Sequence, residues 1–339
     1  MPKSTPKINK QPRKILVTGT AGFIGYHLAS TLLERGDIVV GVDNFTPYYD
    51  VRMKKARHNI LVKNSSFHFH NISITDYKKL GSIIKKEKPD MVIHLAAQAG
   101  VRFSLKNPWA YADANYLGTL NIFEAAKQHN IKRVLYASSS SVYGANKKMP
   151  FSEDDKTDHP ISVYAASKKG NEVLAYSYHS LYGIETAGMR FFTVYGRYGR
   201  PDLALFKFTK NIIMEKPIDV YNYGKMKRSF THINDIVSGI LALVEKKKLG
   251  YELYNLGGDK DTSLLDFIRV IEKHLGKKAN INFLPIQAGD VPKTVADTSK
   301  ARRELSYCPR VSIDEGIADF VKWFVSNQNW LLRIKEPKQ

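Results

Sequence analysis

Short apolar segments alternate with amphipathic segments along the first 190 residues of the chain. The apolar segments predict five strands, at 14–18 (KILVT), 37–43 (DIVVGVD), 67–70 (FHFH), 91–97 (MVIHLAA) and 132–139 (KRVLYASS). Helical patterns lie between them, and the first helix is expected to end at Arg35. Short apolar strands that alternate with helices are typical of a parallel sheet covered on both faces. We therefore expect an α/β fold whose ligands bind beyond the carboxyl ends of the strands.

A glycine-rich turn, GTAGFIG, directly follows the first predicted strand. Gly19 permits a tight turn, Gly22 lets the backbone approach a pyrophosphate, and Gly25 lets helix and strand pack closely. The helix that follows offers free N–H groups to phosphates. Asp43 ends the second strand, where a carboxylate accepts hydrogen bonds from both ribose hydroxyls and repels a 2′-phosphate, so NAD is favoured over NADP. The pattern predicts a Rossmann-type doubly wound sheet, and the alternative is a glycine-lined turn without a ligand.

A serine-rich strand end and a helical Tyr–Lys pair suggest acid–base chemistry. The fifth strand ends in ASSSSVYG (137–144), and Tyr164 and Lys168 share one face of a helix expected to begin near Ser162. A nearby ammonium and an oxidised nicotinamide both stabilise a phenolate, which lowers the phenol pKa from about 10. If Ser139 and Tyr164 converge at the strand ends, both hydroxyls face the nicotinamide. Taken alone, Tyr164 also fits an aromatic residue at a helix interface.

Five motifs in this order resemble the extended short-chain dehydrogenase/reductase family: TGTAGFIG, Asp43, LAAQAG (95–100), SSSSVYG and YAASK. The resemblance covers roughly residues 14–325. It implies tightly held NAD and a catalytic triad of Ser139, Tyr164 and Lys168, with Ser140 and Ser141 as neighbouring candidates for the hydroxyl. The implied cofactor-binding residues are Gly19, Gly22, Phe23, Ile24, Gly25, Asp43, Asn44, Asn71, Ile72, Leu95, Ala96, Ala97, Tyr164 and Lys168. Asn71 departs from the family, which usually has Asp there.

Three further segments resemble the branch of this family that epimerises UDP-glucuronate at C4, and they resemble UDP-glucose/galactose epimerases less well. They are residues 43–57 (DNFTPYYDVRMKKAR), 190–208 (RFFTVYGRYGRPDLALFKF) and 221–237 (YNYGKMKRSFTHINDIV). The resemblance implies that Arg200 and Thr193, with Ser140 and Ser141, hold the C6 carboxylate, and an Arg fork suits a carboxylate. It also implies Arg228 for the diphosphate, Lys207 and Tyr221 beside the uridine, and Asp290 for the uridine ribose.

The serine strand end excludes two related reactions. The 4,6-dehydratases of the family need an Asp–Glu pair where Ser140 and Ser141 stand, and the decarboxylating enzymes typically place Glu at position 141. We therefore expect NAD-dependent C4 epimerisation of a UDP-hexuronic acid, UDP-glucuronate to UDP-galacturonate, through a 4-keto intermediate. The alternatives are a UDP-glucose/galactose or UDP-N-acetylhexosamine 4-epimerase and a non-catalytic NAD-binding scaffold.

The domain organisation follows from these assignments. Residues 1–13 are expected to form a flexible basic tail, because Pro and Lys replace an apolar signal core. Residues 14–190 plus about 228–257 would form the NAD-binding Rossmann domain. Residues 191–227 plus about 258–330 would form a smaller C-terminal α/β domain that binds the UDP-sugar. Helices near 105–128 and 162–182 are expected to pair in a homodimer, as in relatives.

Composition narrows the partners. The 339 residues carry 52 Lys and Arg against 32 Asp and Glu, a net charge of +20, which attracts nucleic acid, acidic membranes or phosphorylated metabolites. The basic runs KKEK (85–88) and EKKK (245–248) resemble exposed helix ends without interleaved aromatics, so we expect no nucleic-acid partner. No segment approaches the ~20 apolar residues of a membrane span. The single cysteine, Cys308, excludes an internal disulfide and a Cys-cluster metal site, which predicts no metal and a cytoplasmic location.

Overall fold

The structure is a computed structural model that describes residues 12–258, 260–287 and 289–337. A seven-stranded sheet dominates the first 256 residues, with strand order β11-β6-β5-β4-β1-β2-β3 and parallel pairing throughout. The strands are β1 (Lys14–Thr18), β2 (Ile38–Asp43), β3 (Phe67–Asn71), β4 (Met91–His94), β5 (Arg133–Ser139), β6 (Glu185–Phe191), β7 (Thr193–Tyr195), β8 (Ile218–Tyr221), β9 (Lys227–Arg228), β10 (Phe230–His232), β11 (Tyr251–Leu256), β12 (Thr262–Ser263), β13 (Ile281–Leu284) and β14 (Lys293–Thr294).

Helices connect the strands and cover both faces of the sheet. They are α1 (Phe23–Glu34), α2 (Val51–Leu61), α3 (Tyr77–Glu87), α4 (Val101–Lys106), α5 (Trp109–Tyr111), α6 (Gly118–Gln128), α7 (Val163–Tyr182), α8 (Ala204–Ile213), α9 (Ile233–Glu245), α10 (Leu264–Leu275), α11 (Ser299–Leu305), α12 (Ile313–Ser326) and α13 (Gln328–Leu331). A π-helix spans Ala112–Leu117, and 3₁₀-helices span Ser140–Tyr143 and Asn222–Gly224.

Alternation along β1 explains why the sheet is covered on both sides. Ile15 and Val17 lie in a buried cluster with residues of α1 and α9, such as Leu28. Leu16 points to the opposite face and lies in a second cluster with residues of α3 and α6, such as Phe123. Successive side chains of a strand point to opposite faces, so a strand buried on both faces is apolar at every position.

The C-terminal part of the chain has its own core. Small sheets pair β8 with β13 and place β9 between β12 and β14. Helices α8, α10 and α12 pack with them around a third cluster that contains Phe206, Val220, Phe267, Phe320 and Phe324. The predicted α/β class, the doubly wound parallel sheet and the smaller C-terminal α/β part are therefore confirmed.

The helical segment near 105–128 is more broken than its pattern indicates. Helix α4 ends at Lys106, Pro108 follows two residues later, and the π-helix precedes α6. Proline has no N–H to donate and restricts the residue before it, so a continuous helix cannot pass this point unchanged. The predicted tail lies outside the described residues up to position 11. Arg13, at its end, donates to the carbonyl of Val244 at 2.8 Å and to Glu245 at 3.0 Å.

Within the described ranges, no helix is long and apolar enough to span a bilayer. Within the same ranges, no group of three or more His, Cys, Asp or Glu side chains is arranged to hold a metal ion. Cys308 is exposed and carries a free thiol.

Candidate active site at the carboxyl ends of the strands

The end of β5 and the first turn of α7 bring together the three candidate catalytic side chains. Ser139 is the last residue of β5, and the hydroxyl of Ser141 lies two residues further, in the 3₁₀-helix. Helix α7 begins where it does because the hydroxyl of Ser162 accepts a backbone N–H of its first turn at 3.1 Å. This cap places Tyr164 in the first turn and Lys168 one turn later, on the same face.

Lys168 is held inside the protein by the strand that carries the serines. Its Nζ donates to the carbonyl of Ala137 at 2.8 Å, and the residue is 3% exposed. Burial lowers the pKa of Lys168 to about 8, because the charged form loses its hydration. The ammonium is therefore fixed in orientation, and it titrates closer to neutral pH than an exposed lysine does.

The charged group that lowers the pKa of Tyr164 differs from the one that the sequence suggests. Burial raises the pKa of Tyr164, while contact with the Ser139 hydroxyl and the charge of Arg200 lower it. The sequence predicts Lys168 as the acidifying group. Among the described residues, however, the cation that lowers this pKa is Arg200. The Lys168 ammonium is engaged by the carbonyl of Ala137 in β5.

The glycine-rich turn has the close packing that a pyrophosphate site needs. Gly19 has φ +79°, and a Cβ there would lie 2.8 Å from the backbone nitrogen of Ala96. The N–H of Gly22 donates to the Gly19 carbonyl at 2.9 Å, and a Cβ on Gly25 would lie 2.1 Å from that same oxygen. Side chains would fill this cradle, so the turn leaves its backbone open to phosphate at the start of α1. These residues fit a dinucleotide.

Asp43 supports the turn and faces the same place. One carboxylate oxygen accepts the N–H of Ala21 at 3.0 Å, and the other accepts the N–H of Phe45 at 2.8 Å. Each carboxylate oxygen has a second lone-pair site. Asp43 therefore fixes the glycine turn while keeping acceptor capacity for two ribose hydroxyls, which agrees with the preference for NAD inferred from the sequence.

The remaining cofactor candidates follow the strand ends or begin α1. They are Phe23, Ile24, Asn44, Asn71, Ile72, Leu95, Ala96 and Ala97. The ring of Phe23 is buried in the core, so a contact with cofactor would come from its backbone. Strand β4 ends at His94, three residues before the sequence-predicted end. The Leu95 N–H still donates to the Thr18 carbonyl of β1 at 3.2 Å, but the Ala96 N–H donates to the Thr18 hydroxyl at 3.1 Å, so the backbone ladder stops there.

A cavity of about 160 Å³ opens beside the serines. Five of the eight predicted substrate residues line it: Ser140, Ser141, Thr193, Arg228 and Asp290. Arg200 and Thr193 line an adjoining cavity of about 30 Å³. The structure therefore brings the predicted carboxylate-binding group together next to the candidate triad.

Arg200 is engaged by a carboxylate of its own loop. Its Nε donates to Asp202 Oδ1 at 3.0 Å, and its Nη2 donates to Asp202 Oδ2 at 2.6 Å. Burial lowers the pKa of Arg200, but the charge and hydrogen bonds of Asp202 raise it above its ordinary value. The guanidinium also lies over the ring of Tyr48, 6.0 Å from its centroid.

Two of the predicted nucleotide-binding residues, Arg228 and Asp290, line the larger cavity. Arg228 donates to the carbonyls of Val291 at 2.7 Å and Pro292 at 3.1 Å, so it holds the loop that carries Asp290. Asp290 accepts from Arg102 at 3.1 Å, and the Arg102 guanidinium lies 4.7 Å from the ring centroid of Tyr221. Arg102 thus contacts two residues that are predicted to lie beside the uridine, Asp290 and Tyr221.

Comparison with known proteins agrees with this geometry. A family model described as GDP-mannose 4,6 dehydratase matches residues 16–320. A UDP-glucuronate 4-epimerase from Thermodesulfobacterium geofontis is 46% identical over 94% of this chain and 98% of that relative. The chain belongs to the extended short-chain dehydrogenase/reductase family.

Other members of this family are similar over comparable lengths. An uncharacterized protein of Methanocaldococcus jannaschii is 52% identical over 95% of this chain and 99% of its own. The crystal structure of a Bacillus cereus UDP-glucuronic acid 4-epimerase in complex with UDP-glucuronic acid and NAD has a TM-score of 0.88 and 37% identity. It covers 93% of this chain and 99% of that one. The seven-stranded sheet is therefore that of an extended short-chain dehydrogenase/reductase.

One candidate substrate residue, Lys207, is engaged by the C-terminal segment. Lys207 was expected to border the uridine, but its ammonium is 3.5 Å from a carboxylate oxygen of Glu336 in the C-terminal segment. One turn later on α8, Lys210 donates to the carbonyl of Ile334 at 2.7 Å. This face of α8 therefore packs on the segment that contains Ile334 and Glu336, and the role of Lys207 beside the uridine stays a prediction.

Sequence reasoning missed a buried polar network under the cofactor loop. The Thr18 hydroxyl oxygen accepts from the N–H groups of Leu95 and Ala96, so its own hydrogen is donated to His94 Nδ1 at 2.8 Å. In that tautomer, His94 Nε2 carries the ring hydrogen and donates it to Thr119 at 3.1 Å. Burial lowers the pKa of His94 to about 3, which keeps the ring neutral. Asn115 of the π-helix binds both backbone groups of Gln98 in the same loop, at 2.8 and 3.1 Å. The sequence signal for this network is the presence of polar residues, Thr18 and His94, inside apolar strand segments.

Proposed function

We propose that the protein is an NAD-dependent UDP-glucuronate 4-epimerase that interconverts UDP-glucuronate and UDP-galacturonate. The observation that carries this proposal is the position of Arg200. Its guanidinium is close enough to lower the pKa of Tyr164, and it lines a cavity with Thr193 next to Ser140 and Ser141. A carboxylate-binding fork beside a proton-transfer group suits a sugar acid whose C4 hydroxyl reacts.

Tyr164 is proposed as the group that moves the C4 proton. Its phenolate takes the proton of the C4 hydroxyl, and its phenol returns a proton once the sugar has presented its other face. Ser139 hydrogen-bonds the same oxygen, and Lys168 binds the nicotinamide ribose. NAD, when bound, accepts a hydride from C4 and gives it back, so none is consumed. The positive charge of oxidised nicotinamide also offsets the burial that raises the pKa of Tyr164.

Four side chains are proposed to hold the C6 carboxylate: Ser140, Ser141, Thr193 and Arg200. Hydroxyl and guanidinium donors around one carboxylate form charge-assisted hydrogen bonds. The 4-keto intermediate is a β-keto acid, and it loses CO₂ most easily when the carboxylate can rotate its C–C bond parallel to the carbonyl π-system. A carboxylate fixed by several donors is restrained from that rotation, so the same contacts favour epimerisation over decarboxylation.

The UDP portion is proposed to anchor both sugar poses. Arg228 is assigned to the diphosphate, Asp290 to the uridine ribose, and Tyr221 to the uracil side. Burial lowers the pKa of Arg228, while Asp290 raises it. Binding energy from this part of the substrate, remote from C4, keeps the keto sugar in place while it turns.

The test is product analysis without added cofactor. Purified protein is supplied with UDP-glucuronate and no NAD, and the sugar is followed by proton NMR. We expect a mixture of UDP-glucuronate and UDP-galacturonate with no CO₂ released, because tightly held NAD is regenerated in each cycle. Faster conversion of UDP-glucose or UDP-N-acetylglucosamine would favour those substrates instead. No conversion of any of them, even with NAD added, would favour a binding scaffold.

We also propose that the protein is a homodimer. Exposed apolar side chains cluster on the π-helix, the start of α6 and one face of α7: Tyr116, Leu117, Leu120, Val163, Val173 and Tyr176. Tyr116 packs on Gly170 of α7, where an added Cβ would meet the phenol oxygen at 2.0 Å, so the two elements form one surface. A second copy of this face is the proposed occupant.

Two further assignments remain proposals. The division into an NAD-binding part (14–190 and about 228–257) and a UDP-sugar part (191–227 and about 258–330) is supported by β11, which completes the large sheet, and by the separate cluster around α8, α10 and α12. A cytoplasmic location is supported by the single free thiol of Cys308, since such chains suit a reducing compartment.

A further inference from the structure

The Arg200–Asp202 pair is built into a fixed loop. Arg57 of α2 is fully buried and donates to the carbonyls of Tyr198 at 2.7 Å and Gly199 at 3.4 Å, directly before Arg200. The same guanidinium donates to the carbonyl of Ala21 in the glycine turn at 2.8 Å. The backbone that presents Arg200 is therefore tied to the cofactor turn, and Asp202 is two residues along on that loop.

Asp202 binds one particular edge of the Arg200 guanidinium. A guanidinium has five N–H donors, which form a side edge (Nε and Nη2) and an end edge (Nη1 and Nη2). Distances of 3.0 and 2.6 Å join the Asp202 carboxylate oxygens to Nε and Nη2. Among the described residues these are the hydrogen bonds that the Arg200 guanidinium makes. The end edge thus keeps its donors, and Arg200 lines a cavity together with Thr193.

The carboxylate of Asp202 stays ionised at neutral pH. Burial would raise the pKa of Asp202, but the charge and hydrogen bonds of Arg200 lower it below the ordinary value, with a further contribution from Arg57. The Arg200 charge is therefore largely balanced within the protein. A second carboxylate gains less from net charge here than at an unpaired arginine, and more from the direction of the free donors.

We propose that Asp202 is a positioning residue for uronate specificity. It fixes Arg200 by its side edge so that the end edge receives the C6 carboxylate of the substrate, and one guanidinium then serves two carboxylates. This inference rests on the proposed function. The rival arrangement is one in which Asp202 occupies the substrate's place and must leave before the sugar acid binds. The two arrangements predict opposite effects of removing the Asp202 carboxylate.

The experiment measures binding in the NAD-loaded Tyr164→Phe protein, where turnover does not interfere. Calorimetric dissociation constants for UDP-glucuronate and UDP-glucose are compared with and without Asp202→Ala and Asp202→Asn. We expect Asp202→Ala to weaken UDP-glucuronate at least roughly tenfold and UDP-glucose less than about twofold, because charge-assisted hydrogen bonds depend on direction. Asp202→Asn, which keeps one oxygen for Nε, should lie between.

A double-mutant cycle gives the decisive control. Arg200→Ala should show the same selective loss, and adding Asp202→Ala to it should change uronate binding little further, because the aspartate acts through the arginine. Tighter uronate binding in Asp202→Ala would instead identify a competitor and overturn the proposal. Equal losses for both nucleotides, or an additive cycle, would mark a merely structural role and also overturn it.

The failure of this inference can be told apart from failure of the proposed function. If the unmodified protein does not epimerise UDP-glucuronate, the function proposal fails on its own assay. If it does, and the Asp202 variants retain NAD and folded circular dichroism spectra but lose no selectivity, only the role of Asp202 is wrong.

Discussion

The half-buried phenol of Tyr164 is surrounded by groups that act on its proton in opposite directions. Burial raises its pKa, and Ser139 and Arg200 lower it. Ser139, Tyr164 and Lys168 could be predicted because a strand end and an i,i+4 helical pair fix their relative positions from the sequence alone. The roles of Arg200 and Lys207 depend on side-chain direction within loops and on a distant chain end, and local spacing carries no information about either.

Replacement of Tyr164 tests the proton-transfer role directly. In Tyr164→Phe, turnover of UDP-glucuronate should fall at least ~100-fold, because a general acid–base group typically contributes that much or more. UDP-sugar binding should stay within about twofold, since the ring remains. Steady-state kinetics and calorimetry measure the two effects. Tyr182→Phe is a matched control, because Tyr182 is 45% exposed at the end of the same helix. Near-normal turnover in Tyr164→Phe would remove this residue from the mechanism.

At the scale of elements, the strands and helix α7 could be predicted from the sequence, but the interruptions in the helical segment near 105–128 could not. Helix α7 starts one residue after Ser162, as its capping pattern indicates. The π-helix at 112–117 was not foreseen, because it depends on Asn115 reaching the backbone of Gln98 across the sheet end. Tertiary hydrogen bonds of this kind override local helical propensity.

Helix α2 shows how one cap stabilises an element that supports the site. Asp50 accepts the N–H and the guanidinium of Arg52 and also the N–H of Lys335 at 2.9 Å, so it joins α2 to the C-terminal segment. The hydrogen bond from Arg52 is the main reason that the pKa of Asp50 is lowered to about 2. Arg57, which holds the Arg200 loop, lies about two turns after Asp50 on the same helix.

The free energy of unfolding should depend on pH because of the Asp50 cap. The pKa of Asp50 is depressed in the folded protein, so its contribution is present above the unfolded value near 3.8 and is lost as pH falls towards 2. Asparagine caps a helix about as well as aspartate, so Asp50→Asn removes mainly the charge. It should lower the free energy of unfolding by about 1–2 kcal/mol at pH 7, and the difference should shrink below pH 3.8. Urea unfolding at pH 7 and pH 3 measures it.

A comparable cap elsewhere provides the control for Asp50. Asp76 accepts the N–H of Lys79 at 3.1 Å at the start of α3, but it does not bind the chain end. Asp76→Asn should cost less stability than Asp50→Asn at pH 7. Equal losses at pH 7 and pH 3 for Asp50→Asn would mean that its charge contributes nothing.

At the scale of the whole molecule, side chains form hydrogen bonds between elements that are far apart in the sequence. Arg57 joins α2 and the glycine turn to the Arg200 loop, and Arg102 joins α4 to Asp290. The parallel sheet could be predicted because its strands alternate regularly with helices. These long-range contacts could not, since Arg102 and Asp290 are 188 positions apart and no local pattern links them.

The surface of α7 leads to a prediction about assembly. Val173 is 56% exposed on the apolar face proposed to meet a second copy, and an introduced carboxylate there would lose hydration without a partner. Val173→Glu should weaken the dimer at least about tenfold, seen as a shift towards monomer in sedimentation velocity. Val325→Glu is the matched control, because Val325 is 45% exposed on α12. A monomeric unmodified protein, or equal shifts in both variants, would contradict the proposed face.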